Sequence, residues 1–254
     1  MGSDNARHAE TLLRAAANCA GAYRAWAGGV GMPSRLWDDL SCGDLALPVN
    51  LPPNNATLLS PSAPANFEEV LERIAEFFAG RPGGGYQIWS AWPTPDLTAD
   101  GYLGWSCPCM IRDAGGEAPM PPPELEIVDA RDERALGEAE SVVNEVYGAG
   151  APPGSMFRPE SVSDTFRVWV GRVDGRPVSS ATAYVGDGFV GLYAVATAAE
   201  ARGRGYGEAV SWAATNFRPD LPATLQASPM GRPVYERMGY RTVAQFTVWE
   251  RDRR

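Results

Sequence analysis

The stretch Val190-Gly-Leu-Tyr-Ala-Val-Ala-Thr-Ala-Ala-Glu-Ala-Arg-Gly-Arg-Gly-Tyr-Gly-Glu208 decides the fold of this chain. It opens with an apolar run over residues 192–196, which has the composition of a buried strand. A short polar loop leads from there into the glycine-rich segment 202–207. Apolar residues then recur at positions 210, 213, 214 and 217, and this helical spacing predicts a helix that begins near Gly205.

A strand, a glycine-rich turn and a helix in this order direct several backbone N–H groups toward one spot. The helix dipole adds partial positive charge there, so the spot favours an anion such as a phosphate group. Gly203, Gly205 and Gly207 allow positive φ angles and a close approach of a ligand to the backbone. Arg202 and Arg204 can add charge-assisted hydrogen bonds. We therefore expect this segment to bind a phosphate-bearing ligand.

Two common phosphate-binding motifs do not fit the segment. A P-loop requires Lys followed by Ser or Thr after its second glycine, and neither follows here. A dinucleotide fingerprint requires a third glycine where this chain has Glu208. It also requires an acidic residue about 20 positions further on at a strand end, whereas Asp220 lies closer and in a proline-rich loop. The sequence therefore excludes both motifs.

The pattern that does fit is Arg-x-x-Gly-x-Gly, formed by Arg202, Gly205 and Gly207 after a strand that ends at Thr197. It closely resembles the acyl-CoA-binding motif of the GCN5-related N-acetyltransferases. The resemblance continues through residues 225–240, which resemble the family's next strand, short helix and closing Tyr-x-x-x-Gly-Phe/Tyr pattern. It covers roughly residues 124–254, about half of the chain.

The resemblance implies a fold class and a reaction. The fold would be α+β, with a mixed sheet flanked by helices and the element order β-α-β-β-β-α-β-α-β over residues 124–254. Two Asp-Gly turns, at residues 174–175 and 187–188, supply the hairpins that this order needs. The reaction would be transfer of an acetyl or other acyl group from acetyl-CoA, a cosubstrate, to a primary amine of a small molecule or amino-acid-like compound.

The resemblance also assigns roles to particular residues. The strand edge 194–197 would pair with the pantetheine amides, and a backbone N–H near Val195 would donate to the thioester carbonyl. The N–H groups of segment 202–207 would hold the pyrophosphate. Ser228 stands where many relatives have an asparagine that contacts the cofactor, and Gly231 stands where an alanine is usual. The candidate cofactor-binding residues are Ala194, Val195, Ala196, Thr197, Arg202, Gly203, Arg204, Gly205, Tyr206, Gly207 and Ser228.

Tyr235 matches the tyrosine that serves as general acid in the family, four residues before Gly239. A phenol with an ordinary pKa of about 10 is protonated at neutral pH and can donate to a thiolate. The alternative is that Tyr235 is an ordinary packing residue on a short helix. The resemblance therefore gives two candidate catalytic groups, the side chain of Tyr235 and the backbone of Val195. No general base stands out: Glu145, Asp187 and Glu200 are the candidates, each typical of a surface or turn, and some relatives use a chain of waters.

Three aromatic residues are candidates for the wall of an acceptor pocket: Tyr147, Trp169 and Tyr193. The alternative for each is an ordinary core position, because aromatic residues at strand spacing are usually packed in the interior. The variable part of the pocket is expected from residues 131–157 and from the first half of the chain, so the sequence leaves the amine unidentified.

Composition narrows the class of partner. The net charge is −9 and the isoelectric point is near 4.8, which argues against nucleic acid or an anionic membrane as the main ligand. No apolar run reaches the roughly 18 residues of a membrane span, and no secretory signal precedes the first helix, so we expect a cytoplasmic protein. His8 is the only histidine and the four cysteines lack metal-ligand spacing, so no metal site is expected. The oligomeric state stays open between monomer and homodimer.

The sequence pattern predicts that residues 1–116 form a separate α+β domain. The proline-rich linker 117–123 joins it to the domain of residues 124–254. The pattern predicts helices over residues 5–27 and 67–79 and strands over 86–92 and 102–111. It also predicts short strands near 36–40, 44–47 and 56–59, and Asn66 as a helix cap. We hypothesise that this half is a degenerate copy of the second half without the acyl-CoA loop; an unrelated domain is the alternative.

Two functions other than amine acylation of a small molecule remain open on the sequence alone. One is a non-catalytic protein that binds acyl-CoA in a regulatory role. The other is acyl transfer to a protein terminus or lysine. Retention of both Tyr235 and the strand–loop–helix segment favours the enzyme over the non-catalytic protein.

Overall fold

The computed structural model describes residues 2–49, 51–61 and 66–252. Its helices are α1 (Gly2–Gly29), α2 (Phe67–Phe78), α3 (Glu133–Tyr147), α4 (Tyr206–Thr215) and α5 (Arg232–Arg237). Its strands are β1 (Ser34–Leu36), β2 (Leu40–Asp44), β3 (Asn54–Leu58), β4 (Gly85–Ser90), β5 (Leu103–Arg112), β6 (Leu125–Ala130), β7 (Phe166–Val173), β8 (Arg176–Gly186), β9 (Phe189–Thr197), β10 (Ala223–Gln226) and β11 (Arg241–Asp252).

The strands of both halves of the chain lie in one mixed sheet. Its order over the described residues is β1-β2-β3-β4-β11-β5-β10-β9-β8-β7-β6. Most neighbours are antiparallel, and the β3–β4 and β9–β10 pairs are parallel. The predicted mixed α+β fold is confirmed, and the predicted element order of the second half is confirmed from β6 to β11.

The two halves of the chain share one strand order. Strands β1, β2 and β3 form an antiparallel run, and α2 then leads to β4, which is parallel to β3. Strands β7, β8 and β9 form the same run, and α4 then leads to β10, which is parallel to β9. Helix α1 precedes β1 as α3 precedes β7. This repeat of topology supports the hypothesis that the first half is a degenerate copy of the second.

The last strand of each half lies in the sheet of the other half. Strand β5, from the first half, pairs with β10, and β11, from the second half, pairs with β4. Between them, β5 and β11 pair with each other along nearly their whole length. The predicted boundary through residues 117–123 therefore separates segments whose strands interleave, and the domain division itself stays a prediction.

Helix α1 belongs to the first half yet packs against the second. Its Asn18 is fully buried and donates to the carbonyl oxygens of Gly186 (2.8 Å) and Phe189 (3.3 Å) around the β8–β9 turn. The Asn18 Oδ1 atom accepts the hydroxyl group of Tyr193 at 2.7 Å. A Cβ atom on Gly191 would lie 2.0 Å from this Oδ1, so glycine is required where helix and strand approach closely.

The predicted elements of the first half were partly wrong. The helices and the strands β4 and β5 occur within a few residues of their predicted bounds. The short strands predicted near 36–40, 44–47 and 56–59 lie earlier in the chain, at β1, β2 and β3. Asn66 makes no side-chain hydrogen bond to α2, because its φ and ψ of −107° and 3° are not the extended values of a capping residue.

We expect the Asn18→Ala substitution to lower the free energy of unfolding by about 3 kcal/mol, because it leaves a buried tyrosine hydroxyl and two carbonyl groups without their partner. Urea denaturation measures the change. Gln245→Ala, at an exposed position of β11, is the control and should change stability by less than about 0.5 kcal/mol. Equal stability of the two variants would contradict the role of Asn18.

Candidate active site

The parallel strands β9 and β10 pair only at their beginnings. Ala223 lies opposite Val190 and Thr224 lies opposite Gly191, and no further pair follows, although both strands continue. Beyond this point β10 remains paired with β5 on its other side. The two strands therefore part, which opens a cleft in the sheet where β9 approaches its end.

A β-bulge in β9 lies at this cleft. The register of β8 against β9 shifts between Ser180, opposite Ala196, and Thr182, opposite Tyr193. Ala194 has a φ of 47°, a left-handed conformation that costs a non-glycine residue about 1–3 kcal/mol. The surrounding ladder imposes this conformation and so changes the direction of the backbone at Ala194 and Val195.

The N-terminus of α4 lies at the same end of β9. Gly203 and Gly205 have φ angles of 77° and 82°, and Gly205 is the residue before the first turn of the helix. The free N–H groups of that turn and the helix dipole favour an anion there. Gly207 lies against β9, since a Cβ atom on it would lie 2.6 Å from Thr197 Oγ1.

These elements line a groove with a volume of about 390 Å³. Its walls are the end of β9, the glycine-rich loop, the first turns of α4, and the segment leading into α5. The predicted cofactor-binding residues that line it are Val195, Thr197, Arg202, Gly203, Gly205, Tyr206, Gly207 and Ser228. The Arg202 Nε–H donates to the carbonyl of Thr197 at 3.1 Å, which joins the loop to the strand.

Three other predicted cofactor-binding residues lie outside the wall of the groove. Ala194 lines the neighbouring cavity, and the side chain of Ala196 is buried in the core. Arg204 is exposed and does not line the groove. Tyr206 lines the groove, but its ring packs in the small core under the loop and its hydroxyl donates to Glu124 at 2.7 Å.

A second cavity, of about 470 Å³, lies between the two halves of the chain. The first half contributes residues from α1, the loop after β2, β4 and β5. The second half contributes residues from α3, the following loop, β9, β10 and the turn after it. The sequence predicted that residues 131–157 contribute to the wall of the acceptor pocket, and Val143, Tyr147 and Met156 do line the cavity. This size and its apolar lining are typical of a small-molecule site.

The groove and the cavity share three residues: Val195, Ser228 and Tyr235. Val195 comes from the bulged strand, Ser228 from the turn after β10, and Tyr235 from α5. Ser228 Oγ accepts the backbone N–H of Gly231 at 3.1 Å, which fixes the approach to α5. The two volumes therefore share the two candidate catalytic residues, Val195 and Tyr235, and one candidate cofactor contact, Ser228.

Tyr235 is 8% exposed and packs against the ring of Tyr240, with the ring centroids 5.8 Å apart. Burial raises its pKa well above the ordinary value, and the nearby Tyr147 and Tyr240 act in the same direction, opposed by Ser211. The phenol is therefore protonated throughout the physiological range. At the shared rim it is available as a hydrogen-bond donor.

The aromatic candidates divide into two groups. Tyr147 and Tyr193 line the cavity. The Tyr147 hydroxyl donates to the carbonyl of Val195 at 2.7 Å, which attaches α3 to the bulge. Trp169 instead packs in the core against Phe217, with ring centroids 5.7 Å apart. The alternative prediction, that Trp169 is an ordinary core residue, is therefore confirmed.

None of the three carboxylates named as candidate bases lines either volume. Glu145, Asp187 and Glu200 are all exposed. Glu250, on β11, is the carboxylate residue that does line the cavity. The sequence does not indicate a role for Glu250, because nothing in the local pattern of β11 shows that this strand crosses into the sheet of the first half.

The described residues contain no cluster of His, Cys, Asp and Glu side chains suited to a metal ion. All four cysteines are buried and unpaired, and burial raises the pKa of Cys107, in the cavity wall, to about 12. No helix among residues 2–49, 51–61 and 66–252 combines the length and apolarity that crossing a bilayer requires.

Several solved structures are similar to this one. A GCN5-related N-acetyltransferase from Kribbella flavida is 18% identical, with a TM-score of 0.62 over 91% of this chain and 95% of that chain. A GCN5-related N-acetyltransferase-like protein from Streptococcus suis is 13% identical, with a TM-score of 0.56 over 88% and 90%. A GCN5-related N-acetyltransferase from Sphaerobacter thermophilus is 16% identical, with a TM-score of 0.54 over 78% and 71%.

These similarities show that the chain has the fold of the GCN5-related N-acetyltransferases. Coverage of 91% includes most of the first half, where the sequence carries no acyl-CoA motif. No family model matches the chain, and no curated protein matches it significantly.

We expect the Gly207→Ala substitution to lower the free energy of unfolding by about 1–3 kcal/mol, since the new methyl group would overlap Thr197 Oγ1. Thermal and urea unfolding measure the change. Adding Thr197→Ala to this variant removes the overlap and should restore most of the lost stability.

Gly137→Ala is the matched control for this substitution. Gly137 lies in α3 with open space where its Cβ would stand, so alanine there should stabilise the protein by about 0.5–1 kcal/mol. The same effect from both glycine substitutions would contradict the close packing of α4 on β9.

Proposed function

We propose that this protein is an N-acyltransferase that moves an acetyl or other acyl group from an acyl-CoA, acetyl-CoA first of all, to a primary amine. The acceptor is a small molecule or an amino-acid-like compound. The observation that carries the proposal is the meeting of the groove and the cavity at Val195, Ser228 and Tyr235. A reaction between two bound molecules needs such a junction, because the reacting atoms must be held together in one orientation.

The groove suits the cofactor end of the proposal. The first turn of α4 and the positive φ angles of Gly203 and Gly205 present backbone N–H groups suited to the pyrophosphate. The parted edge of β9, around Val195 and Thr197, is open to the extended pantetheine arm, which carries amides that can pair with a strand. The acyl thioester would then lie at the shared rim.

Amine acylation requires three things at that rim. The amine nitrogen must attack as a neutral group, the carbonyl oxygen must be stabilised as it gains negative charge, and the departing thiolate must receive a hydrogen bond or a proton. A backbone N–H at the Val195 bulge is our candidate for the oxygen. Tyr235 is our candidate for the sulfur.

The raised pKa of Tyr235 limits what this residue does. A phenol with a pKa above that of a thiol, about 8.5, gives up its proton to a thiolate only against an unfavourable equilibrium. Tyr235 therefore acts first as a hydrogen-bond donor that stabilises the developing thiolate. The proton that the amine loses on forming the C–N bond balances the charge on the sulfur.

Two carboxylate residues line the groove and the cavity, within the part of the chain that the structure describes. Glu208, in the groove, forms an ion pair with Arg237, and Glu250, in the cavity, is not among the residues shared with the groove. Burial raises the pKa of Tyr23 and Tyr193 in the cavity wall, so their phenols stay protonated and cannot accept a proton from the amine. The amine therefore enters as the neutral form or loses its proton to water.

The first test is binding of coenzyme A by calorimetry. The wild-type protein should bind it, and Arg202→Ala should weaken binding about tenfold or more, since a hydrogen bond to a charged group contributes about 1.5–3 kcal/mol. Arg232→Ala is the matched control, because Arg232 pairs with Glu236 and does not line the groove. Absence of any heat with the wild-type protein would exclude the proposed function.

The second test is turnover of acetyl-CoA with a broad panel of amines, followed as released thiol. The Tyr235→Phe variant should keep its affinity for coenzyme A and lose about a hundredfold or more in kcat, as expected for loss of a donor to the leaving group. A protein that binds acyl-CoA without transfer would release no thiol with any amine. Undiminished turnover in the variant would remove Tyr235 from the mechanism.

A further inference from the structure

The cavity has one end that the acyl-transfer chemistry does not use. This end is formed by Gln87 and Trp89 of β4, Trp105 of β5 and Glu250 of β11, which we call the β4–β11–β5 end. None of these residues lines the cofactor groove. The rings of Trp89 and Trp105 meet edge to face with centroids 5.8 Å apart, so the wall here is aromatic.

Glu250 is the one acidic side chain in the cavity wall, and no Arg, Lys or His lines the cavity, among the residues that the structure describes. Its Oε1 atom accepts the indole N–H of Trp105 at 2.7 Å and the side-chain N–H of Gln87 at 2.9 Å. These two donors orient the carboxylate but bring no positive charge. Glu250 forms no ion pair with a described Arg.

A partly buried carboxylate without a counter-ion loses hydration that two neutral donors restore only in part. A cationic ligand would supply the missing charge. The surrounding rings add to this preference, because the faces of tryptophan and tyrosine attract cations within about 6 Å. Trp89, Trp105 and Tyr23 all line the cavity. Carboxylate and aromatic wall together are therefore complementary to a positively charged group.

The position of Glu250 separates this charge from the reacting amine. Strand β5 lies between β11 and β10, so the backbone of Glu250 is two strand spacings, about 10 Å, from that of β10. Glu250 is also displaced along β11. It lies opposite Leu103, four residues further along the strand than Phe246, which lies opposite Cys107. A cation bound at Glu250 is thus a different group from the amine that meets the thioester near Tyr235.

We propose that the acceptor is an elongated amine that carries a second, positively charged group at its far end. This charged group binds Glu250 at the β4–β11–β5 end of the cavity while the reacting amine reaches the rim. This inference rests on the proposed function for the role of the reacting amine. The segment between the two nitrogens is apolar and flexible, to match the walls formed by Leu47, Leu51 and Leu192. Aliphatic diamines are the chemical class that fits.

The test compares 1,8-diaminooctane with octylamine as acceptors of the acetyl group. The wild-type protein should favour the diamine at least about tenfold in kcat/KM, and Glu250→Gln should abolish this preference by raising KM for the diamine at similar kcat. The variant keeps an oxygen for Trp105 and Gln87, so its Tm should stay close to that of the wild type. Octylamine, which has no second charge, is the reference against which this preference is measured.

Glu72→Gln is the matched control, since Glu72 is an exposed carboxylate of α2 that lines neither volume. It should leave the preference for the diamine intact. A wild-type protein that acetylates both amines equally well, or a Glu250→Gln variant that keeps the preference, would overturn the inference and leave the proposed acyl transfer standing.

Calorimetry with the diamine alone separates this inference from the proposed function. If no amine is acetylated, yet the wild-type protein binds 1,8-diaminooctane and Glu250→Gln binds it at least about tenfold more weakly, the cation site stands and acyl transfer fails. If neither protein binds the diamine and no amine is acetylated, both proposals are overturned.

Discussion

The pairing of β11 between β4 and β5 is the constraint on which the rest of the structure depends. Its residues pair with β5 from Arg241 to Glu250 and with β4 from Thr247 to Asp252. In the strand order, this position joins the sheet of the first half to that of the second. Without it the two runs of strands would be separate sheets, each with an exposed edge. Joined, they enclose a cavity whose walls come from both halves.

The two halves share a topology but present different surfaces to a ligand. In the second half, β9 bulges at Ala194 and parts from β10, and α4 begins on a glycine-rich loop. In the first half, the segment between β3 and α2, residues 59–66, contains no glycine. A sequence without glycine is less suited to the positive φ angles that turn backbone N–H groups toward a phosphate. One half thus retains the features of an anion site, while the other supplies α1 and an aromatic wall.

Local chemistry explains how much the sequence predicted. The hairpins at residues 174–175 and 187–188, the glycine-rich helix start and the apolar periodicities are properties of short segments, and the structure has them where expected. Tyr235, Ser228 and Val195 were assigned by resemblance to a family motif, and they do meet at one rim. The predictions failed where the local signal was weak, as in the proline-rich segment around β1–β3 and at Asn66, whose backbone does not take a capping conformation.

From the sequence alone follow the glycine-rich loop, the order of helices and strands, and the positions of the candidate catalytic residues. Each depends on residues that are neighbours in the chain, through turn conformation, helical spacing or a compact motif. The tertiary structure alone decided the exchange of β5 and β11, the insertion of Asn18 beneath the β8–β9 turn, and the placing of Glu250 in the cavity. These depend on pairing between segments far apart in the chain. The alternation of apolar and polar residues predicts which face of a strand is buried, but it does not predict which other strands it pairs with.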